Sequence, residues 1–234
     1  MATTSRNIDD LLIPATLNDF LFSDPVSEHT LLNVLSGVLP FPAGGRNGIL
    51  LWGTYGTGKT TLAKLLPELL EQSGQLQDSK RAQRIFEYDH YYEFTACGMG
   101  LNGATMLHEM RERIEKQPCY GPSGWHYEIL DEVDELTPAA QASLKSLMSQ
   151  GNKTIFIITT NNTRRLDKGV IDRCQMIEMN QALPTSYVPV ARQILKKMGL
   201  SGNEIPTQKL TQMAAASRGS LRDFCCAVVI AANL

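Results

Sequence analysis

Trp52-Gly53-Thr54-Tyr55-Gly56-Thr57-Gly58-Lys59-Thr60-Thr61 follows the apolar run Ile49-Leu50-Leu51 and precedes a segment, residues 62–70, with a helical pattern. Strand, glycine-rich loop and helix in that order fill the pattern G-x-x-x-x-G-K-[ST] with Gly53, Gly58, Lys59 and Thr60. The chemistry asks for these residue types. Glycines let successive backbone N–H groups turn inward as an anion nest, where a Cβ would block the approach. A helix starting near Gly58 aims its unpaired N–H groups and the positive end of its dipole at the same point. Lys59 adds a mobile cation for the β and γ phosphates, and the Thr60 hydroxyl can ligate Mg²⁺. The plain alternative is a glycine-rich turn before an ordinary helix; both flanks favour a nucleotide phosphate site made of Gly53, Thr54, Tyr55, Gly56, Thr57, Gly58, Lys59, Thr60 and Thr61.

The chain has 234 residues, enough for one α/β domain with a small appendage. With 20% charged and 43% hydrophobic residues it has an ordinary globular composition, and its net charge of -2 does not mark a strong free-standing nucleic-acid binder. No run reaches the roughly 18 apolar residues of a membrane span, and the first residues carry no apolar signal region. The five cysteines form no C-x-x-C pair, so neither a disulfide framework nor a zinc module is expected, and a reducing cytoplasm fits best.

Residues 13–20 read as an extended lead-in, followed by a helix over 27–38 ended by Pro40 and Pro42, and a turn-rich loop over 43–48. An alternating aromatic strand is expected over 91–96, a helix over 104–116 and a strand over 127–130 ending in Asp131-Glu132. Thr137-Pro138 pairs an N-cap with proline at the first helical position, opening a helix to about 149. Residues 154–159 are β-branched almost throughout and predict a buried strand. A short helix over 167–172 and a strand over 175–179 complete the α/β pattern. After residue 183 the pattern is helical only, over 187–198, 208–217 and 221–233. This places a boundary between a nucleotide-binding α/β domain, 1–182, and a helical domain, 183–234.

Asp131 and Glu132 close a strand. One such carboxylate can hold Mg²⁺ through its water shell, and its neighbour can orient and deprotonate a water attacking the γ-phosphate. Taken alone the pair is a solvated turn; a phosphate loop upstream reverses that weighting. Asp134 and Glu135, past the strand end, are expected at the solvated surface. Asn161 ends the next strand, at the edge where a parallel sheet gathers its ligands. Its amide could reach both the γ-phosphate and the attacking water.

These residues, taken with Ala140-Gln141-Ala142-Ser143-Leu144, Ile158-Thr159-Thr160-Asn161, Ile171-Asp172-Arg173-Cys174 and Gly219-Ser220-Leu221-Arg222, resemble AAA+ ATPases of the clamp-loader group. That group includes replication factor C and the bacterial sliding-clamp loader. Phe94-Thr95-Ala96-Cys97, leading into Arg111-Glu112-Arg113-Ile114, is similar to the family's second strand and helix. The resemblance runs over about residues 13–234. It implies a five-stranded parallel P-loop sheet (the ASCE/AAA+ arrangement) sandwiched by helices, then a small three-helix lid. It implies ATP and Mg²⁺, with Lys59, Asp131, Glu132, Asn161, Arg173 and Arg222 as catalytic residues and Thr60 and Asp131 toward the metal. Glu132 would be the base, Asn161 and Arg222 the first and second sensors, and Arg173 a finger toward the neighbouring subunit's γ-phosphate. A finger is worth about 10³–10⁵ in rate where it is supplied. Thr95 stands where the family often restrains the catalytic glutamate.

Departures from the family pattern carry expectations of their own. Tyr55 replaces a usual proline, a change at a position that contributes mainly backbone. Asp172 replaces a serine and could sequester Arg173. Lys145-Ser146 stands where paired arginines are common. Glu128 lies in a strand expected to be buried, so it either pairs with a cation or marks an exposed strand end. The four-cysteine zinc insert of bacterial loaders and the helical collar beyond the lid have no counterpart in these residues. Arg111, Arg113 and Lys116, and Arg164, Arg165 and Lys168, could follow a nucleic-acid backbone if repeated around a ring. The expected function is ATP hydrolysis in a homo- or hetero-oligomer that loads or remodels a DNA-bound protein partner, in replication, repair or mobile-element function. An ATP-gated assembly scaffold with little hydrolysis is the alternative. A simple P-loop kinase is a third, disfavoured by the Asp-Glu pair, Asn161 and the helical tail.

Overall fold

The structure, a computed structural model, describes residues 14, 16–74, 76, 92–98, 103–117, 122–150 and 153–232. Among them, five strands form one parallel sheet: β1 (Gly48–Trp52), β2 (Glu93–Ala96), β3 (His126–Asp131), β4 (Thr154–Thr160) and β5 (Cys174–Glu178), in the order β2-β3-β4-β1-β5. Helices α1 (Pro25–Ser36), α2 (Lys59–Gln72), α3 (Gly103–Lys116), α4 (Pro138–Met148) and α5 (Lys168–Asp172) alternate with the strands. Three more follow, α6 (Tyr187–Lys197), α7 (Thr207–Ala216) and α8 (Leu221–Ala232). The described residues fall into two compact units. One takes those of Pro25–Trp52 and Leu62–Glu178; the other takes those of Met1–Asp24, Gly53–Thr61 and Met179–Leu234.

In the sheet unit, β4 lies between β1 and β3 and is buried at every residue, which explains its run of β-branched side chains. The registers Trp52↔Thr160 and Leu130↔Ile158 bring the carboxyl ends of β1, β3 and β4 to one edge. Helix α3 buries Met106, Leu107, Met110 and Ile114, a stripe at helical spacing that packs into the same core as Leu130, Leu144 and Ile158. Helix α4 begins as its sequence predicts: the Thr137 hydroxyl accepts from the Ala140 N–H at 3.3 Å, with Pro138 in the first turn. Asp167 caps α5 by accepting from the Gly169 N–H at 2.7 Å. Gly44 and Gly45 turn the chain ahead of β1, where Ala43 and Arg46 exchange backbone hydrogen bonds at 3.1 and 3.0 Å.

In the other unit, α6, α7 and α8 close over Tyr187, Ala191, Leu195, Leu210, Phe224 and Val228. The Tyr187 and Phe224 rings meet edge to face at 5.2 Å, and the Tyr187 hydroxyl donates to the Gly219 carbonyl at 3.0 Å.

Three expectations change. The lead-in is not extended throughout: Leu17–Asp19 forms a 3-10 turn, because the Asp19 carboxylate accepts from the Thr16 N–H at 3.0 Å. Helix α1 stops at Ser36, ahead of the prolines. Strand β2 covers Glu93–Ala96, while Tyr91 and the loop residues 99–102 and 118–121 lie outside the described residues.

Candidate functional site

The glycine-rich loop and the C-terminal helices are hydrogen-bonded within one unit. Gly53 has φ 150°, and a Cβ there would meet the Met179 carbonyl oxygen at 2.3 Å. Gly56 has φ 75°, and a Cβ there would meet the Ser220 hydroxyl at 2.5 Å. Both glycines are therefore required by fit as well as by backbone conformation. The Thr54 N–H donates to the Asn180 side-chain oxygen at 3.1 Å, and the Thr57 hydroxyl to the Thr54 carbonyl at 3.0 Å. Lys59 is 7% exposed, and its Nζ donates to the Gly53 and Thr54 carbonyls at 3.0 and 2.6 Å. A buried ammonium held by the loop's own carbonyls is poised to exchange them for a stronger anionic acceptor. Thr60 and Thr61 follow in the first turn of α2. Tyr55 is 73% exposed, as suits a position that contributes backbone alone.

Arg222 belongs to this assembly. The N-terminal amides of α8, Leu221 and Arg222, both donate to the Gly56 carbonyl, at 2.9 and 3.3 Å. The loop thus caps the helix that carries Arg222. A cavity of about 360 Å³ opens here, lined by Gly56, Gly58 and Thr61, by the cations Lys197 and Arg222, and by Phe20, Val190, Ile194 and Leu221. Glycine backbone, two cations and apolar side chains around one cavity suit a ligand with an anionic part and an apolar part. Cys225 and Cys226 also line it; burial pushes the Cys225 thiol up to about 12.

The acidic residues and Asn161 lie in the sheet unit. Thr159, at the end of β4, donates its hydroxyl to Asp131 Oδ1 at 2.7 Å and accepts from the Glu132 N–H at 2.9 Å. Glu132 adopts the left-handed conformation (φ 58°, ψ 50°), which costs a side-chain-bearing residue roughly 1–2 kcal/mol. Strain of this kind persists only where neighbours hold it, as Thr159 does here. Asp134 corrects a sequence expectation. It is 5% exposed and accepts at Oδ1 from the Thr160 hydroxyl (2.8 Å) and the Asn161 N–H (3.3 Å). The 3-10 turn Val133–Glu135 folds the chain back onto the β4 end, so a residue past the strand is not left at the surface. Glu135 is exposed, as expected, and accepts from Arg165 at 3.1 Å.

Thr95 does not bond Glu132; its carbonyl instead faces the Cys97 thiol at 4.0 Å. Just past β2, Gly98 stands beside the glutamate, where a Cβ would lie 3.2 Å from Glu132 Oε2. Cys97 is buried there, and burial first, then Asp131, Asp134 and Glu132, push its thiol up to about 12. A protonated thiol beside the acidic group adds no further charge.

Arg173 follows α5. Its Nε donates to Ser149 Oγ at 2.9 Å and its Nη1 to the Gly169 carbonyl at 2.7 Å. The expected competitor, Asp172, forms no ion pair with it among the described residues. The guanidinium is engaged by the preceding turn and by α4's end instead. Glu128 is resolved in favour of a partner: it is 1% exposed, and Arg113 meets it with Nε at 3.3 Å and Nη2 at 2.8 Å. Burial nonetheless pushes the Glu128 carboxyl up to about 7. Arg113 is thereby withdrawn from the basic cluster on α3, and Lys116 pairs with Glu112 at 2.6 Å.

Sequence reasoning gave Thr159 and Thr160 no role of their own and placed Asp134 at the surface. The available signal was two adjacent hydroxyls closing an otherwise apolar strand. Period-2 alternation sends such neighbours to opposite faces, where each needs a polar partner. No described helix is long and apolar enough to cross a membrane, and no group of three or more His, Cys, Asp or Glu among the described residues could hold a metal.

Comparison with known proteins fits this arrangement. The chain is 29% identical over 210 residues to the DNA polymerase III subunit gamma of Buchnera aphidicola, covering 86% of this chain and 56% of that one. It is 25% identical over 184 residues to a replication factor C small subunit from Pyrobaculum aerophilum (77% and 50% covered). With replication factor C subunit 4 of Caenorhabditis elegans it shares 27% identity over 223 residues (91% and 59% covered). It therefore spans about half the length of these curated relatives. In fold alone it is similar to the Thermotoga maritima RuvB Holliday junction branch migration motor, with a TM-score of 0.68 at 16% identity, covering 94% of this chain and 64% of that one. Residues 49–181, which carry the glycine-rich loop, Asp131-Glu132 and Asn161, match the model of the family described as ATPase family associated with various cellular activities (AAA). More than half of the chain lies in that match, and the chain belongs to this AAA family of nucleotide-binding ATPases, with relatives among the clamp-loader subunits.

Proposed function

We propose that this chain hydrolyses ATP with Mg²⁺ as one subunit of an oligomer that loads or remodels a protein partner on DNA. The observation that carries the reading is the fastening of Asp131 and Glu132 by Thr159, which holds a carboxylate in a strained left-handed conformation at the sheet edge. Strain of this kind clusters at sites that must aim a reacting group, and a general base is such a group. Lys59, bound to loop carbonyls, would transfer its hydrogen bonds to phosphate oxygens. Thr60 and Asp131 offer hard oxygen donors of the kind Mg²⁺ takes, and the ion when bound neutralises charge on the β and γ phosphates. Glu132 takes the proton of the attacking water, Asn161 orients that water, and Arg222 answers to the nucleotide from α8. Arg173 serves the neighbouring subunit. The replication factor C and DNA polymerase III names of the relatives support a role in replication.

The test is ATP turnover by the purified chain and its Glu132→Gln variant, with nucleotide binding measured beside it. Loss of a general base lowers the rate about 10²-fold or more while binding persists. One observation favours the scaffold reading as a second possibility: Arg173 is engaged by Ser149 and Gly169 of its own chain, an arrangement that opposes hydrolysis in trans. Tight ATP binding with negligible turnover in the wild type would select it.

A further inference from the structure

We propose that Asp134 is a positioning residue for hydrolysis, fixing the backbone of Asn161 relative to Glu132. The inference rests on the hydrolytic reading above and adds a residue to it. Asp134 is buried, two positions after Glu132, and its Oδ1 accepts from the Thr160 hydroxyl at 2.8 Å and the Asn161 N–H at 3.3 Å. Thr160, fully buried, accepts in turn from the Asn162 N–H at 3.0 Å. One carboxylate oxygen therefore gathers, directly or through a hydroxyl, the backbone N–H groups of residues 161 and 162.

Thr159 makes the complementary attachment on the other face of β4, to Asp131 Oδ1 and the Glu132 N–H. Two adjacent hydroxyls with opposite outlooks thus fasten residues 131–134 to residues 159–162. A fold needing only bulk at position 134 would do better with an apolar side chain, since a buried carboxylate is costly to desolvate. What the carboxylate supplies is an acceptor able to take two donors at once. Both donors belong to the segment that presents Asn161. A shift of about 1 Å in a group aimed at the attacking water can cost about 10²-fold in rate, so a rigid backbone here has a kinetic consequence.

The test compares Asp134→Asn, Asp134→Ala and Thr160→Val. The asparagine oxygen still accepts both hydrogen bonds and should leave kcat within about threefold of wild type. Alanine should lower kcat about ten- to a hundredfold with KM and nucleotide affinity nearly unchanged. Valine at 160 keeps the direct Asp134–Asn161 bond and should fall between. Amide hydrogen exchange at Asn161 and Asn162 provides a readout that needs no turnover: it should accelerate in Asp134→Ala and not in Asp134→Asn. Unchanged kcat in a folded Asp134→Ala, unchanged exchange at Asn161, or equal losses in the alanine and asparagine variants would overturn the proposal. Absence of turnover in the wild type would instead remove the hydrolytic reading, and the exchange data would still decide whether Asp134 holds Asn161.

Discussion

Thr159 uses one hydroxyl both to donate to Asp131 and to accept from the Glu132 N–H, so both depend on the same atom. Thr159→Val keeps the shape and removes that atom. Leaving a buried polar group without its partner costs about 1–3 kcal/mol, so denaturant unfolding should show a loss of that order. Turnover should fall further than stability alone explains, because Glu132 is then without the hydrogen bond that holds its left-handed backbone. Thr159→Ser should restore much of both, and a serine variant no better than valine would count against the account. Lys59, Asp131 and Glu132 were legible in the sequence because their motifs encode local chemistry at fixed spacing. Asp134 was not, since position past a strand end says nothing of a 3-10 turn that folds the side chain back inside. Arg173 shows the same limit. Its neighbour Asp172 was the visible partner, whereas the actual acceptor Ser149 comes from another helix end.

At the scale of elements, the sequence periodicities located the strands and helices well, because β4 and α3 each carry an uninterrupted burial pattern. What they could not reveal was the link between α3 and β3 through Arg113 and Glu128, which depends on packing between elements. This link makes stability depend on pH. Desolvation raises the Glu128 carboxyl, Arg113 pulls it back in part, and Glu93, its register partner on β2, adds a smaller push; together they leave it at about 7 against an ordinary 4.5. The nearby His126 is held below its ordinary value by burial and by Arg113. Between pH 4.5 and 7 the folded chain keeps a proton on Glu128 that the unfolded chain has released. Stability from this site is therefore greatest below that window and falls as pH rises through it, by on the order of 3 kcal/mol at most. Unfolding measured from pH 5 to pH 8 should show that decline, and Glu128→Gln should flatten it. Arg113→Met should be far more damaging at pH 8, where it leaves a buried carboxylate unpaired, than at pH 5, where the carboxyl takes up a proton. Equal damage at both would contradict the assignment.

For the molecule as a whole, the ion pairs revise which cations could meet a nucleic-acid backbone. Arg113 is committed to a buried carboxylate, while Lys116 and Arg165 sit in exposed pairs with Glu112 and Glu135. Exposed pairs contribute little to stability and give way readily to phosphate. Arg164 and Lys168 are exposed. With a net charge of -2, a single chain has little general attraction for DNA, so the proposed function requires the cationic set to be repeated by assembly. Mass in solution should rise when a nonhydrolysable ATP analogue is added, and DNA binding should appear under the same condition and weaken with salt. Removing one cation that neutralises a phosphate flattens the log–log salt dependence by about 0.9 on duplex DNA, so Arg164→Gln with Lys168→Gln should lower the slope by nearly 2 for every subunit engaged. The double change Arg113→Gln with Glu128→Gln, which removes the buried pair together, should leave the slope where it was. A slope that responds to Arg113 and ignores Arg164 and Lys168 would move the DNA-facing surface away from the loop after β4 and onto α3.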